Sequence, residues 1–359
     1  MSVRYRLITA NELDSTLIDT WRAIQSKYDV FESPYFSPEF TQLVGQVRND
    51  VRIVVIENDR RAVGFFPHQR SFNGMGKPVG GPLSDYHGVI AWADSEWEIG
   101  PLMRAANLSV LVFDHLIGNT QKFDPHVISR VVSPQIDLSS GYEQYVQEKC
   151  NAGSDYIRKT ETLARKLARE IGELHFTLHE SGNDVIMQLI EWKRSQYQRA
   201  NLTDAFEVTW TGNLLRRISQ TKSTGFAGVC SVLRVGDRIA AIHLGMRSTS
   251  VLHYWFPAYD PEFGKFSTGI ILLLRIAKTL ADSGMKAIDL GKGESQYKSR
   301  LMTRSVEIME GYIELPSLLT TARRLRRTAE SYAASNGRAT ILKLPFRAIR
   351  RFERTRRFR

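Results

Sequence analysis

Apolar and polar positions alternate in short runs along this chain, and the runs recur in a fixed order. Val51 to Ile56, a turn at Asn58-Asp59 and Ala62 to His68 predict one hairpin. Val229 to Val235, Gly236-Asp237 and Ile239 to His243 predict another. Asn-Asp and Gly-Asp suit the tight connection, and the β-branched flanks suit a pleated sheet. A Phe-Glu pair precedes each hairpin, Phe31-Glu32 and then Phe206-Glu207. A helical pattern follows each, Trp97 to Asn107 and Ile270 to Ser283, and each helix leads to a short strand ending in an acid, Asp114 and Asp289. Turn Asp to strand-end Asp spans 55 residues in the first copy and 52 in the second. Four unlike landmarks in one order predict duplication of a single α/β unit.

The second copy is the more fully patterned. Leu174 to His179 alternates as a strand, and Val185 to Tyr197 sets Val185, Leu189 and Trp192 on one helical face. Val251 to Phe256 adds a third strand after the hairpin. Ser267-Thr268 opens the next helix, Gly284 closes it, and Val306 to Leu315 completes the sheet. Ser154 to Glu170 reads as a basic helix between the halves. The expected division is 1–138, 139–317 and a tail, 318–359.

Charge sharpens that division. Of the 359 residues 42% are hydrophobic and 24% charged, the balance of a folded chain with a net charge of +11. Residues 323–359 hold 12 Arg and one Lys against Glu330 and Glu353, which accounts for the whole excess. A neutral body argues against a nucleic-acid-binding face. The tail, with Ile341, Leu344, Phe346 and Phe352 among its arginines, suits peripheral contact with an anionic membrane. Cys150 and Cys230 read as isolated core residues, not as a disulfide frame. No apolar leader follows Met1, so a cytoplasmic protein is expected, with possible contact at the inner membrane. No His/Cys/carboxylate spacing suggests a metal.

Three segments carry candidate chemistry. Lys265, Phe266, Ser267, Thr268 and Gly269 join a strand to a helix start, where unpaired N–H groups and the helix dipole favour a phosphate. A loop whose Ser267 only caps its helix has the same composition. Asp289 ends a strand and leads through Gly291 and Gly293 to Glu294, Tyr297 and Lys298; a dinucleotide fingerprint is excluded, because Gln296 stands where its third glycine belongs. In the first half, Asp85, Tyr86 and His87 lie between glycines and are suited to positioning an acceptor. His243 ends the second hairpin and is a further candidate base, although a core histidine looks the same in sequence; His253 reads in the same way.

Together, Phe31-Glu-Ser-Pro-Tyr-Phe-Ser-Pro38, Asp85-Tyr-His-Gly88, the hairpin ending at His243, Phe266-Ser-Thr-Gly269 and Ile288-Asp-Leu-Gly-Lys-Gly-Glu-Ser-Gln-Tyr-Lys298 resemble the BioF-like acetyltransferase domain of the GNAT superfamily. The likeness is to CelD/BcsL-type proteins of cellulose and exopolysaccharide clusters and covers about residues 20–315. It implies an α/β (α+β), tandem GNAT fold similar to the Fem aminoacyltransferases. It also implies acetyl-CoA or another acyl-CoA as co-substrate in the second half, and a small-molecule or saccharide acceptor. The implied catalytic candidates are Asp289, His243 and Glu294. Asp85, Tyr86, His87, Tyr297 and Lys298 are the candidates for acceptor contacts, and Lys265 to Gly269 for the donor. The usual Gln/Arg-x-x-Gly-x-Gly/Ala donor loop is not intact. A catalytically silent accessory protein of polysaccharide synthesis is the competing expectation.

Overall fold

The structure is a computed structural model that describes residues 3–118, 120–293 and 295–316. Glu294 and the arginine-rich tail lie outside the described residues, and with them the expected membrane contact. In chain order, the elements of the first half are β1 (Val3–Thr9), α1 (Ser15–Lys27), α2 (Pro38–Val47), β2 (Val51–Asn58), β3 (Arg61–Arg70), β4 (Met75–Lys77), β5 (Ile90–Ala91), α3 (Ile99–Ala105), β6 (Val110–Leu116) and β7 (Val127–Asp137). Then come α4 (Tyr142–Asn151), α5 (Tyr156–Glu170), β8 (Leu174–Thr177), α6 (Asn183–Arg199) and α7 (Thr209–Gln220). The chain continues through β9 (Ala227–Val235), β10 (Arg238–Arg247), β11 (Val251–Tyr259), α8 (Thr268–Asp282), β12 (Ala287–Asp289), α9 (Gln296–Leu301) and β13 (Arg304–Glu314).

These elements form two compact units. One gathers the described residues of 1–24, 44–130 and 309 onward; the other gathers 25–43 and 131–308. In the first, β1 pairs with β2, β2 with β3, and β3 with both β4 and β5. β6 joins β4 in parallel and the end of β13 antiparallel. Val54, Phe66, Trp97, Met103 and Phe113 fill that core. The predicted helix over 97–107 is shorter, because Asn107 turns left-handed (φ 53°) and ends it.

The second unit positions the candidate chemistry. Its strands run β7-β12-β11-β10-β9-β8. Both hairpins stand where the alternation put them. α4, α5 and α8 cover one face of this sheet and share a core with Leu233, Leu252 and Tyr254. α6 and α7 pack on the other: the Tyr197 ring of α6 lies 6.3 Å from Phe206, and Phe206 5.7 Å from Phe256, both tilted, and Phe256 pairs with Leu244 of β10. Cys230 is buried as expected. Cys150 is exposed, a correction that follows from its place on the outer side of the last turn of α4.

Among the described residues, no helix is long and apolar enough to cross a membrane.

Candidate active site

The site grows from one irregularity in a strand pair. β10 and β11 match His243 with Pro257 and Leu244 with Phe256, and then Met246 with His253. Tyr254 and Trp255 therefore stand against the single residue Gly245, which is a β-bulge on β11. Gly245 is required there, because a Cβ would collide with the His253 carbonyl and approach His243 Nε2 to 2.7 Å. A bulge takes backbone groups out of their ladder and re-aims side chains. On its other edge β11 pairs with β12 over three positions only, ending at His253↔Asp289, while β11 itself runs on to Tyr259. Bulge and ladder end thus coincide.

At that point lies a buried His–Asp pair. His253 is wholly buried and Asp289 is 1% exposed, with Nδ1 3.5 Å from Oδ1. Asp289 also accepts from Ser133 Oγ at 2.9 Å, Gln135 Nε2 at 2.8 Å and the Gly291 N–H at 2.7 Å. Arg304 Nε in turn donates to Gln135 Oε1 at 2.8 Å. A carboxylate acts as acceptor to all three, so these donors fix the orientation of Asp289, which lies beside the imidazole without a hydrogen bond to its Nδ1. Tyr35, from the 3-10 turn Pro34–Phe36, meets the His253 ring edge-on at 5.0 Å. The sequence shows both residues of the pair. Only the register shows that they meet.

His243 is placed differently. Its register partner Pro257 is on the opposite face of the sheet from His253, and its ring stacks on Tyr254 at 4.2 Å and 10°. Burial, then the charges of His253 and Lys193, hold its basicity well below the ordinary histidine value, so the ring is neutral. Neither ring nitrogen has a hydrogen-bond partner among the described residues.

The five candidate donor residues divide by role. Ser267 takes the left-handed conformation (φ 56°) that starts α8, Thr268 Oγ1 donates to the Ala240 carbonyl at 3.2 Å, and Phe266 is buried. The Gly269 carbonyl accepts from Tyr254 Oη at 3.4 Å. Lys265 is exposed, with Nζ 4.8 Å from the Phe266 ring centre. The N–H groups of Thr268 and Gly269 have no acceptor among the described residues, at the positive end of a 15-residue helix, and Thr268 itself is wholly buried.

Beyond β12 the chain turns through Gly291 (φ 73°) and Gly293 (φ 104°). Lys298 Nζ donates to the carbonyls of Gly291 and Lys292, both at 2.9 Å, and so staples the loop. Tyr297 is half-buried against the α8 side of the core, its hydroxyl pushed up to about 12 by burial.

Asp85, Tyr86 and His87 belong to the first unit. Tyr86 is in the core. His87 exchanges backbone hydrogen bonds with the end of β6, accepting from the Ile117 N–H and donating to the His115 carbonyl. Its ring is buried and its value falls to about 4. Asp85 Oδ1 lies 3.5 Å from His115 Nε2, and Asp114 Oδ1 lies 3.1 Å from His115 Nδ1. The sequence reading did not nominate His115; only its place on β6 brings it to this loop. Among the described residues no group of three or more His, Cys, Asp or Glu is arranged to hold a metal ion.

Residues 156–299, which carry the bulge, the His–Asp pair and the α8 start, match the family model described as an acetyltransferase (GNAT) domain. The sequence likeness to a GNAT domain is thus confined to this stretch. No curated protein matches the chain in sequence. Solved structures match its fold. FemX is similar at a TM-score of 0.57 and 8% identity, over 86% of this chain and 96% of that one. The C-terminal domain (DUF2156) of a protein described as a lysylphosphatidylglycerol synthetase from Agrobacterium fabrum is similar at 0.52 and 11%, over 87% and 95%. Those likenesses span both units, and the fold is of the tandem GNAT type.

Proposed function

We propose that this protein is a GNAT-type acyltransferase that moves an acyl group, in the first instance acetyl, from acyl-CoA to an amine or hydroxyl of a sugar or envelope-polysaccharide precursor, as a BioF-like protein of CelD/BcsL type would. The observation that carries the reading is the coincidence, at one point of the GNAT-like stretch, of the β11 bulge, the end of the β11–β12 ladder and the His253–Asp289 pair.

The residues present fit a thioester donor. The N–H groups of Thr268 and Gly269, which lack acceptors among the described residues, suit its diphosphate, and the edge of β11 beyond His253 offers backbone groups to its amide arm. The acceptor nitrogen or oxygen adds to the thioester carbonyl, the C–S bond breaks, and the CoA sulfur leaves as the thiolate. Backbone N–H groups released at the bulge stabilise the developing oxyanion, a contribution of about 3 kcal/mol for one well-aimed donor. His253, beside Asp289, takes the proton of the attacking group, and Tyr35 screens it from bulk water. No covalent acyl-enzyme is needed.

A second reading, a catalytically silent accessory protein of polysaccharide synthesis, is favoured by one observation: Lys298 is spent on its own loop and Lys265 rests on Phe266. Thermal denaturation of the full chain with acetyl-CoA separates the two, since a ligand that binds only the folded state must raise the melting temperature. Mass-spectrometric screening of amino sugars and nucleotide sugars then tests turnover. An unmoved melting temperature together with no acylated product would sink the enzyme reading.

A further inference from the structure

The inward side of α6 reads Val185, Ile186 and Leu189, all buried, and then Lys193 one turn later. One more turn on, Tyr197 faces Phe206 and through it Phe256, on the His253 face of the sheet. Helical periodicity calls for an apolar residue at 193, and the chain places an ammonium there. The other cations of this part of α6 are accommodated: Arg194 pairs with Asp204 at 2.9 Å, and Arg199 is exposed. Lys193 is half-buried and makes no hydrogen bond or ion pair with any described residue. Burial alone holds its value down to about 8, and its charge is felt by His243 through the sheet. Asp204, the acid that pairs with this helix, is engaged by Arg194 and by the Phe206 N–H at 2.8 Å.

A cation withdrawn from water without a counter-ion costs stability, and a site that keeps one has a use for its charge. The α8 start, which suits the donor's diphosphate, belongs to the opposite face of the sheet. An anion meeting Lys193 therefore comes with the other substrate. We propose that Lys193 recognises an anionic group, a phosphate or a carboxylate, on the acyl acceptor, so that the preferred acceptors are negatively charged. This inference rests on the acyltransferase reading for the word acceptor, and on α6 for the anion site itself.

Lysine carrying 13C at Cε, incorporated into the full chain, tests the site directly. Lys193→Met identifies the signal. The signal is expected to titrate near pH 8 in the free protein and to move toward the ordinary lysine range with glucosamine 6-phosphate or inorganic phosphate, but not with glucosamine. Lys193→Met should weaken glucosamine 6-phosphate binding about tenfold or more, the scale of one lost charged contact, while Lys193→Arg retains it. In turnover, the charged member of each matched acceptor pair should have the lower KM, and Lys193→Met should raise that KM more than it lowers kcat. A signal that titrates with the bulk lysines, or that ignores both phosphate probes, would overturn the proposal. Equal KM for charged and neutral acceptors would do the same. The acetyl-CoA melting shift, read on the same samples, reports donor binding independently, so a failed donor and a failed anion site give different results.

Discussion

His253 and Asp289 are partners twice over, as the last register pair of β11 and β12 and as side chains 3.5 Å apart. Parallel neighbours on adjacent strands project to the same face, so the backbone pairing itself delivers the side-chain contact. Ser133 and Gln135, two residues apart on β7, reach Asp289 from the next strand for the same reason.

Asp289→Asn should therefore disarm the pair. An amide presents N–H groups toward donors and takes the carboxylate away from the imidazole. Turnover is expected to fall by about 100-fold or more, the range for loss of acid–base catalysis, as it should in His253→Gln. Unfolding in urea should show a loss of about 1–3 kcal/mol for Asp289→Asn, because buried donors are left unmatched. Full activity in both variants would remove this pair from the mechanism.

Gly245→Ala tests the bulge. The added methyl meets the His253 carbonyl and His243 Nε2, neither of which is a flexible chain end. A stability loss of about 1–3 kcal/mol, typical of overpacking, is expected together with loss of the acetyl-CoA melting shift. A variant that melts and binds like the parent would show that the bulge is not needed at this position.

Acid should destabilise the first unit through two histidines. His68 and His87 are buried and lowered from 6.5 to about 4, in each case chiefly by burial. The unfolded chain binds their protons at higher pH than the folded one, so stability falls as pH drops from about 6.5 to about 4, by up to about 3 kcal/mol for each. Urea midpoints at pH 7, 5.5 and 4.5 should trace this fall, and His87→Gln should flatten part of it. A parental slope in that variant would count against the assignment.

Lys193 predicts the opposite end of the scale. Its folded value, about 8, lies below the ordinary 10.5, so the unfolded chain holds the proton longer. Stability should rise with pH between these values. Lys193→Met should melt higher than the parent at pH 7, and the difference should narrow as pH rises toward 10.5. A Met variant that melts lower at pH 7 would mean that the ammonium has a stabilising partner.

Much of the scaffold was legible because it is local. The Asn58-Asp59 and Gly236-Asp237 turns sit between alternating strands, and Ser267 and Gly284 bracket α8, each by chemistry confined to a few neighbours. β7 escaped notice because Pro134 reads as a strand breaker, yet that strand carries Ser133 and Gln135. β1 has no turn signal to mark it, whereas α7 does carry a helical period, with Leu214, Leu215 and Ile218 on its buried side, that went unassigned.

The sequence by itself determined the repeated α/β order, the hairpins, the glycine-rich chemistry after β12 and the concentration of charge in the tail, since periodicity and turn propensity act within a few residues. It named Asp289 and left His253 among ordinary core histidines. Tertiary structure decided which side chains meet. Strand order brings 133, 135, 253 and 289 together and sends His243 to the other face, and one extra residue in β11 sets the register that does so. Register is a collective property of paired strands, and no single strand's composition encodes it.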